Sequence, residues 1–324
     1  MQPSRRAILA ASALGFAACA PKAKPPLIES QIAACEPLLG VKYSDAERSQ
    51  MAGQFSQPDA GLAALRAFEK PNDLAPASVF DPRVPGVIYP KQSGLFIPPA
   101  PTTAPLPASD TDIAFASTAN QAAWIKSGQL SSERLTQIYL GRIAKHAPLL
   151  ECFITVMGDS ALAAARKADS QIAKGLYLGA LHGIPYAAKD LFDAKDVKTT
   201  YGAAPYQDRV AKTDAAVITK LRAAGAVLLG KTTLGALAYG DIWFGGVTRN
   251  PWNTDEGSSG SSAGSSAAVS AGLCSFALGT ETLGSIVSPA TRCGIAGLRP
   301  SFGRVSRAGA MALCWSMDKV GPLT

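Results

Sequence analysis

The chain has 324 residues, of which 47% are hydrophobic, 17% charged and 7% aromatic, and it contains 30 glycines. That apolar share supplies a large core, excludes disorder and a collagen-like repeat, and at this length allows roughly two domains. The net charge of +7 becomes +5 without Arg5 and Arg6 (29 basic against 24 acidic side chains). The remaining basic residues form no run and do not interleave with aromatics, so a nucleic-acid partner is not expected.

Residues 4–19, SRRAILAASALGFAAC, join paired arginines to an apolar stretch, Ala7 to Ala18, that is too short to span a bilayer. This is the shape of a secretory signal over residues 1–18, and Arg5–Arg6 match the twin-arginine route. Ala17 and Ala18 ahead of Cys19 resemble a lipobox, with Phe16 where leucine is usual. Cys19 is therefore expected to carry a lipid anchor, the alternative being a plain cleaved signal. Either places the protein in the periplasm or cell envelope.

Residues 19–110 read as a tether and extension. APKAKPP is a stiff proline-rich tether, and helix-period patterns run from Leu27 to about Lys70, with Ser44 or Asp45 as N-cap. From Pro71 to Pro107 the chain is extended and proline-rich. That is too long for a tight connection, so it is expected to wrap over the main body.

From residue 111 the signals sharpen into an α/β domain. The segments 112–128 and 131–147 each read as one amphipathic helix, the second opened by Ser131 and closed before Pro148. CFITVM is a short strand, SALAAARKADSQIAKG a helix ended by Gly175, and HGIPYAAKD a buried strand leading into a turn. DAAVITKLRAAG followed by AVLLG is a helix, a glycine stop and a strand.

Two turns carry the chemistry. GSSGSSAGSSAAVSA, from Gly257 to Ala271, has the composition of a linker, but it sits inside a domain ahead of an alanine-rich helix and an apolar strand. Glycine there lets the backbone approach another group closely. The second turn, GTETLGSIVSPATRCG, lacks GxxxxGK[ST] and is no phosphate loop. Small residues ahead of its serine can aim successive N–H groups at one point, as an oxyanion hole requires. A serine nucleophile needs a base. Of the two histidines, His182 precedes a Gly-Ile-Pro turn and His146 ends a helix, and both read as structural. Lys189 ends the buried IPYAAK strand, where desolvation disfavours its ammonium; a snorkelling lysine is the alternative. The six cysteines form no CxxC pair and no zinc pattern with histidine, so neither a metal nor a disulfide scaffold is expected.

HGIPYAAKD, NPWN, GSSGSSAGSSAAVSAG, GTETLGSIVSPA and CGIAGLRPSFGRVSRAG occur in this order, and together they resemble the amidase signature family from Asp112 to the end. The resemblance implies an α/β fold with a mixed central sheet flanked by helices on both faces, and a Ser–cisSer–Lys triad. Lys189 matches the family's lysine, Ser261 its middle serine after a cis Gly260–Ser261 peptide, and Ser285 its nucleophile. It further implies an oxyanion hole from the N–H groups of Thr282, Leu283, Gly284 and Ser285, a small-molecule amide substrate, and no cofactor. The extension before this domain loosely resembles the small accessory subunit that embraces some amidases, a generic helical extension being the equal alternative. Glu281 stands where the family has aspartate, Leu283 where glycine is common and Val287 where arginine is usual, so the family's charge pair beside the nucleophile is expected to be absent. Family members continue beyond Thr324, so the chain reads as C-terminally incomplete. A non-catalytic amidase-like lipoprotein, an amidotransferase component and a homodimer all stay open.

Overall fold

A computed structural model describes residues 29–55, isolated positions between 64 and 88, and 104–324. The expected signal segment, Cys19, the tether and most of the proline-rich stretch lie outside the described residues. The chain divides into two compact units, Met1–Glu69 and Lys70–Thr324. In the first, α1 (Glu29–Leu39) and α2 (Asp45–Phe55) are helices of equal length joined through Arg48, whose guanidinium grips Glu36 at 2.6 and 2.9 Å. Ser44 is the N-cap of α2. Its Oγ accepts from the Glu47 N–H (3.3 Å), and the Glu47 carboxylate accepts from the Ser44 N–H (2.7 Å), a reciprocal capping box.

In the second unit, the segment read as one helix is two, α3 (Asp110–Phe115) and α4 (Thr118–Ser127). Ser117 is the reason: its Oγ accepts from the Asn120 N–H (3.2 Å), so the backbone restarts at a cap instead of continuing the ladder. Gly128 closes α4 in the left-handed region, at φ +76°. The next helix, α5 (Ser132–Leu150), begins at the expected cap, Ser131, which accepts from the Arg134 N–H at 3.0 Å. It does not stop before Pro148 but passes through it and ends at Glu151. Proline forfeits one helical hydrogen bond, a loss borne here because Ala147 and Leu150 pin the last turn into the core.

The remaining strands are β1 (Phe153–Val156), β2 (Pro185–Lys189), β3 (Val227–Thr232), the short hairpins β4 (Ile242–Trp243)/β5 (Gly246–Val247) and β6 (Arg249–Asn250)/β7 (Asn253–Gly257), then β8 (Phe276–Glu281) and β9 (Lys319–Leu323). Five of them form a mixed sheet in the order β1-β3-β2-β8-β9. β2 runs parallel to β3 and β8, while β1 and β9 are antiparallel edges. Helices α6 (Gly158–Ala173), α7 (Ala216–Ala223), α8 (Ala263–Ser270) and α9 (Val287–Cys293) complete the unit. Helices α5 and α6 pack on the sheet at β3, and α8 packs on β2, β3 and β8. Every residue of β2 is buried, which is why its sequence ahead of Lys189 reads as a run of apolar residues without polar alternation. Because β2 and β8 are parallel neighbours, Lys189 at the end of one and the 282–285 turn after the other emerge at the same edge of the sheet.

The core also encloses an ion pair. Lys231 Nζ lies 2.9 Å from Asp190 Oδ1, both fully buried, and also donates to Thr199 Oγ1 (3.0 Å). The second Asp190 oxygen accepts from the N–H (2.7 Å) and Oγ1 (2.5 Å) of Thr200. Removing one partner strands a buried charge. Lys231→Met is expected to lower unfolding free energy in urea by about 3–5 kcal/mol, and a loss below about 1 kcal/mol would contradict this account.

Candidate active site

The glycine- and serine-rich run is an ordered part of the core. Ser258, Ser261, Ser262, Ser265 and Ser266 are all buried, and its second half is helix α8. Ser265 Oγ donates to the Leu278 carbonyl (2.8 Å), and the Gly264 N–H donates to the Thr233 carbonyl (3.0 Å), so the run is stitched to β8 and to the end of β3. Ahead of the helix, Ser259 takes a left-handed conformation (φ +63°), with its N–H donated to Asp241 Oδ2 at 2.9 Å. Gly260 is required at its position, because a Cβ there would overlap the Gly240 carbonyl. The Gly260–Ser261 peptide is cis.

Lys189 reaches this run from β2. Its Nζ donates to Ser261 Oγ (2.8 Å), Thr280 Oγ1 (2.9 Å) and Ser262 Oγ (3.1 Å), and lies 3.4 Å from the Thr280 carbonyl. The side chain is fully buried, and burial pushes its pKa down to about 7, with the more distant Asp318 and Glu281 carboxylates opposing the shift. A neutral amine has two protons and one lone pair. Thr280 and Ser262 can take the protons, which leaves the lone pair for the Ser261 hydroxyl. Both partners lie inside the serine- and glycine-rich motifs, yet nothing in the sequence marks them as ligands of Lys189.

Ser285 lies beside Ser262, whose N–H donates to the Ser285 carbonyl at 3.0 Å. Among the described residues no hydrogen bond joins Ser285 Oγ to Ser261 Oγ. The structure therefore forms the Lys189–Ser261 link and leaves the Ser261–Ser285 link unmade. The turn before Ser285 is organised by Glu281, whose Oε2 accepts from the N–H groups of Ile286 (2.8 Å) and Val287 (2.9 Å). Burial pushes the Glu281 carboxyl up, but the N–H groups of Val287, Ile286 and Gly284, with Arg299, outweigh it and hold the pKa below the ordinary value. The expected loss of the charge pair is thereby corrected. Val287 supplies no cation, and Arg299, from a distant loop, lies 3.4 Å from Glu281 Oε1 instead.

Gly284 turns the backbone at φ +86°, and its N–H contributes to holding the Glu281 carboxyl below its ordinary pKa. No described acceptor takes the N–H of Thr282, Leu283 or Ser285. The Leu283 side chain is 83% exposed, so its replacement of glycine leaves the turn's backbone unobstructed on the inner side. Neither histidine joins this cluster. His182 Nδ1 accepts from the Leu178 N–H (3.2 Å) and its Nε2 pairs with Gln171 Oε1 (3.1 Å). His146 lines a separate cavity of about 1030 Å³ that none of Lys189, Ser261 and Ser285 borders.

Comparison with known proteins returns the same family that the motifs resemble. The family model described as Amidase matches residues 134–324. The glutamyl-tRNA(Gln) amidotransferase A-type subunit of Desulforapulum autotrophicum is 46% identical over 205 residues, covering 62% of this chain and 42% of that protein. The native peptide amidase of Stenotrophomonas maltophilia is 40% identical with a TM-score of 0.61, over 64% of this chain and 45% of that one. A fatty acid amide hydrolase structure is 27% identical with a TM-score of 0.64, over 68% and 40%. The chain thus spans less than half the length of these relatives.

Glu281 is the acceptor on which the turn depends. Glu281→Ala leaves two N–H groups beside Ser285 without a partner and is expected to reduce unfolding free energy by about 2–3 kcal/mol in urea denaturation. A variant as stable as the parent would show that the turn does not rely on this carboxylate.

Proposed function

The chain belongs to the amidase family, and from that premise we propose that it hydrolyses a carboxylic amide through a seryl ester on Ser285. The observation that carries this reading is the buried Lys189 Nζ at 2.8 Å from Ser261 Oγ, at the sheet edge where the 282–285 turn emerges. In this mechanism Ser285 Oγ rotates onto Ser261 and gives it a proton as Ser261 passes its own to neutral Lys189. The freed Ser285 oxygen attacks the amide carbon. The carbonyl oxygen, now negative, is held chiefly by the N–H groups of Thr282, Leu283 and Ser285, a donor of this kind being worth about 3 kcal/mol. Lys189 then returns a proton through Ser261 to the nitrogen, the C–N bond breaks and the amine leaves. Water, activated by the same pair, cleaves the ester and restores Ser285. None of these steps calls for a metal or cofactor.

The signal pattern of residues 4–19 supports an exported protein, lipid-anchored at Cys19. Identity to the amidotransferase favours a second reading, in which the released ammonia passes to another acceptor. Export opposes it, because aminoacyl-tRNA is cytoplasmic.

A fluorophosphonate probe tests the first reading directly. It is expected to add once, at Ser285 by peptide mapping, and not to add to Ser285→Ala. The labelling rate should rise with pH through about 7, because Lys189 carries a proton below that value and cannot act as base. Folded protein that takes no label at any pH from about 6 to 9 sinks the proposal, since that interval brackets the titration.

A further inference from the structure

β8 and β9 are antiparallel, with Glu281 opposite Lys319. The residues entering β9 therefore lie against the residue leaving β8, which is Thr282, the first residue of the turn. Asp318 accepts the Thr282 Oγ1 proton. The carboxylate is buried and is itself fixed by the N–H groups of Leu313 (2.9 Å) and Cys314 (3.1 Å). The neighbouring Lys319 donates from Nζ to the Thr282 carbonyl at 3.0 Å. One residue of the turn is thus gripped twice, at its side chain by an anion and at its carbonyl by a cation.

The second contact has a chemical consequence. The Thr282 carbonyl and the Leu283 N–H belong to one peptide group. A cation bonded to the oxygen of that group draws electron density through it and makes the N–H a stronger donor. No described acceptor satisfies the Leu283 N–H, so the gain is available to a ligand. Asp318 acts differently, by fixing the Thr282 side chain and hence the direction of the first peptide of the turn.

We infer that Asp318 and Lys319 form a clamp on Thr282 that aims and polarises the backbone donors of the oxyanion turn. Both are positioning residues, acting on substrate through Thr282 and Leu283. The inference rests on the hydrolase reading for its catalytic half and on geometry alone for its structural half. Asp318 and Lys319 stand more than thirty residues from the motif they serve, and no spacing rule marks them.

The test uses the full chain as Lys319→Met, Lys319→Arg and Asp318→Asn. Two measurements are made on each: the fluorophosphonate labelling rate at Ser285, and the amide ¹H–¹⁵N signal of Leu283. In Lys319→Met the Leu283 amide proton should move upfield and labelling should slow about tenfold, less than the 10²–10³-fold seen when an oxyanion donor is lost outright. Lys319→Arg, which keeps a cationic donor at that carbonyl, should recover both. Asp318→Asn, which weakens the grip on Thr282, should slow labelling without loss of fold by circular dichroism. A Leu283 signal unmoved in Lys319→Met overturns the clamp. A signal that moves while labelling stays at the parent rate overturns its catalytic role. If the parent itself takes no label, the hydrolase reading fails, and the Leu283 signal still decides whether Lys319 polarises that peptide.

Discussion

Lys189 sits at the end of the central strand, fully buried, with hydroxyls and a carbonyl as its hydrogen-bond partners and no carboxylate among them. Much of the fold serves to make that placement tolerable. A charged ammonium there would have lost its water without gaining an anion, and the chain accommodates it by letting the amine become neutral near pH 7. A neutral amine is also what a serine relay needs. The desolvation that weakens the fold at low pH is thus the same interaction on which the proposed mechanism draws for its base. Since the folded-state pKa is depressed below the unfolded 10.5, this cost is fully present below about pH 7 and is relieved as pH rises toward 10.5.

The neighbouring strand shows the other solution to the same problem. Lys231 on β3 is equally buried and stands across from Ala188, one residue from Lys189. It is paired with Asp190 at 2.9 Å, and Thr199 and Thr200 complete the network. Burial pushes the pKa of both lysines down, but only Lys231 has a carboxylate within hydrogen-bonding distance to oppose that shift. Asp190 directly follows Lys189 in the chain, yet it is turned toward Lys231 and leaves Lys189 to the serines. That division of partners separates a structural lysine from a candidate base.

What could be read from the sequence was local. The buried strand ending in Lys189, the capped start of α5, the glycine stop before β3 and the two serine-rich turns are each written within a few consecutive residues, where turn chemistry and periodicity act. The family resemblance named the same three site residues that the fold brings to one edge of the sheet. What escaped was long-range or competitive. Arg299 faces Glu281 although the charge pair was expected to be absent with Val287 in place of the family's arginine, and nothing in the spacing points to it. The Lys231–Asp190 pair and the Asp318 contact with Thr282 join segments that only the sheet order makes adjacent. Ser117 divides a helix because a local cap outcompetes an amphipathic pattern, and Pro148 stays inside one because buried neighbours outweigh a lost hydrogen bond.

The central claim is that Lys189 is neutral where the protein works. It is tested most directly by ¹³C NMR of protein labelled at lysine Cε, with the Lys189 signal assigned by its absence from Lys189→Met and followed through a pH titration. The account predicts a midpoint near 7, against the 10.5 of a lysine free in water. A Lys189 midpoint close to 10.5 would mean that the ammonium persists in the core, and the base assigned to this site would have to be another group.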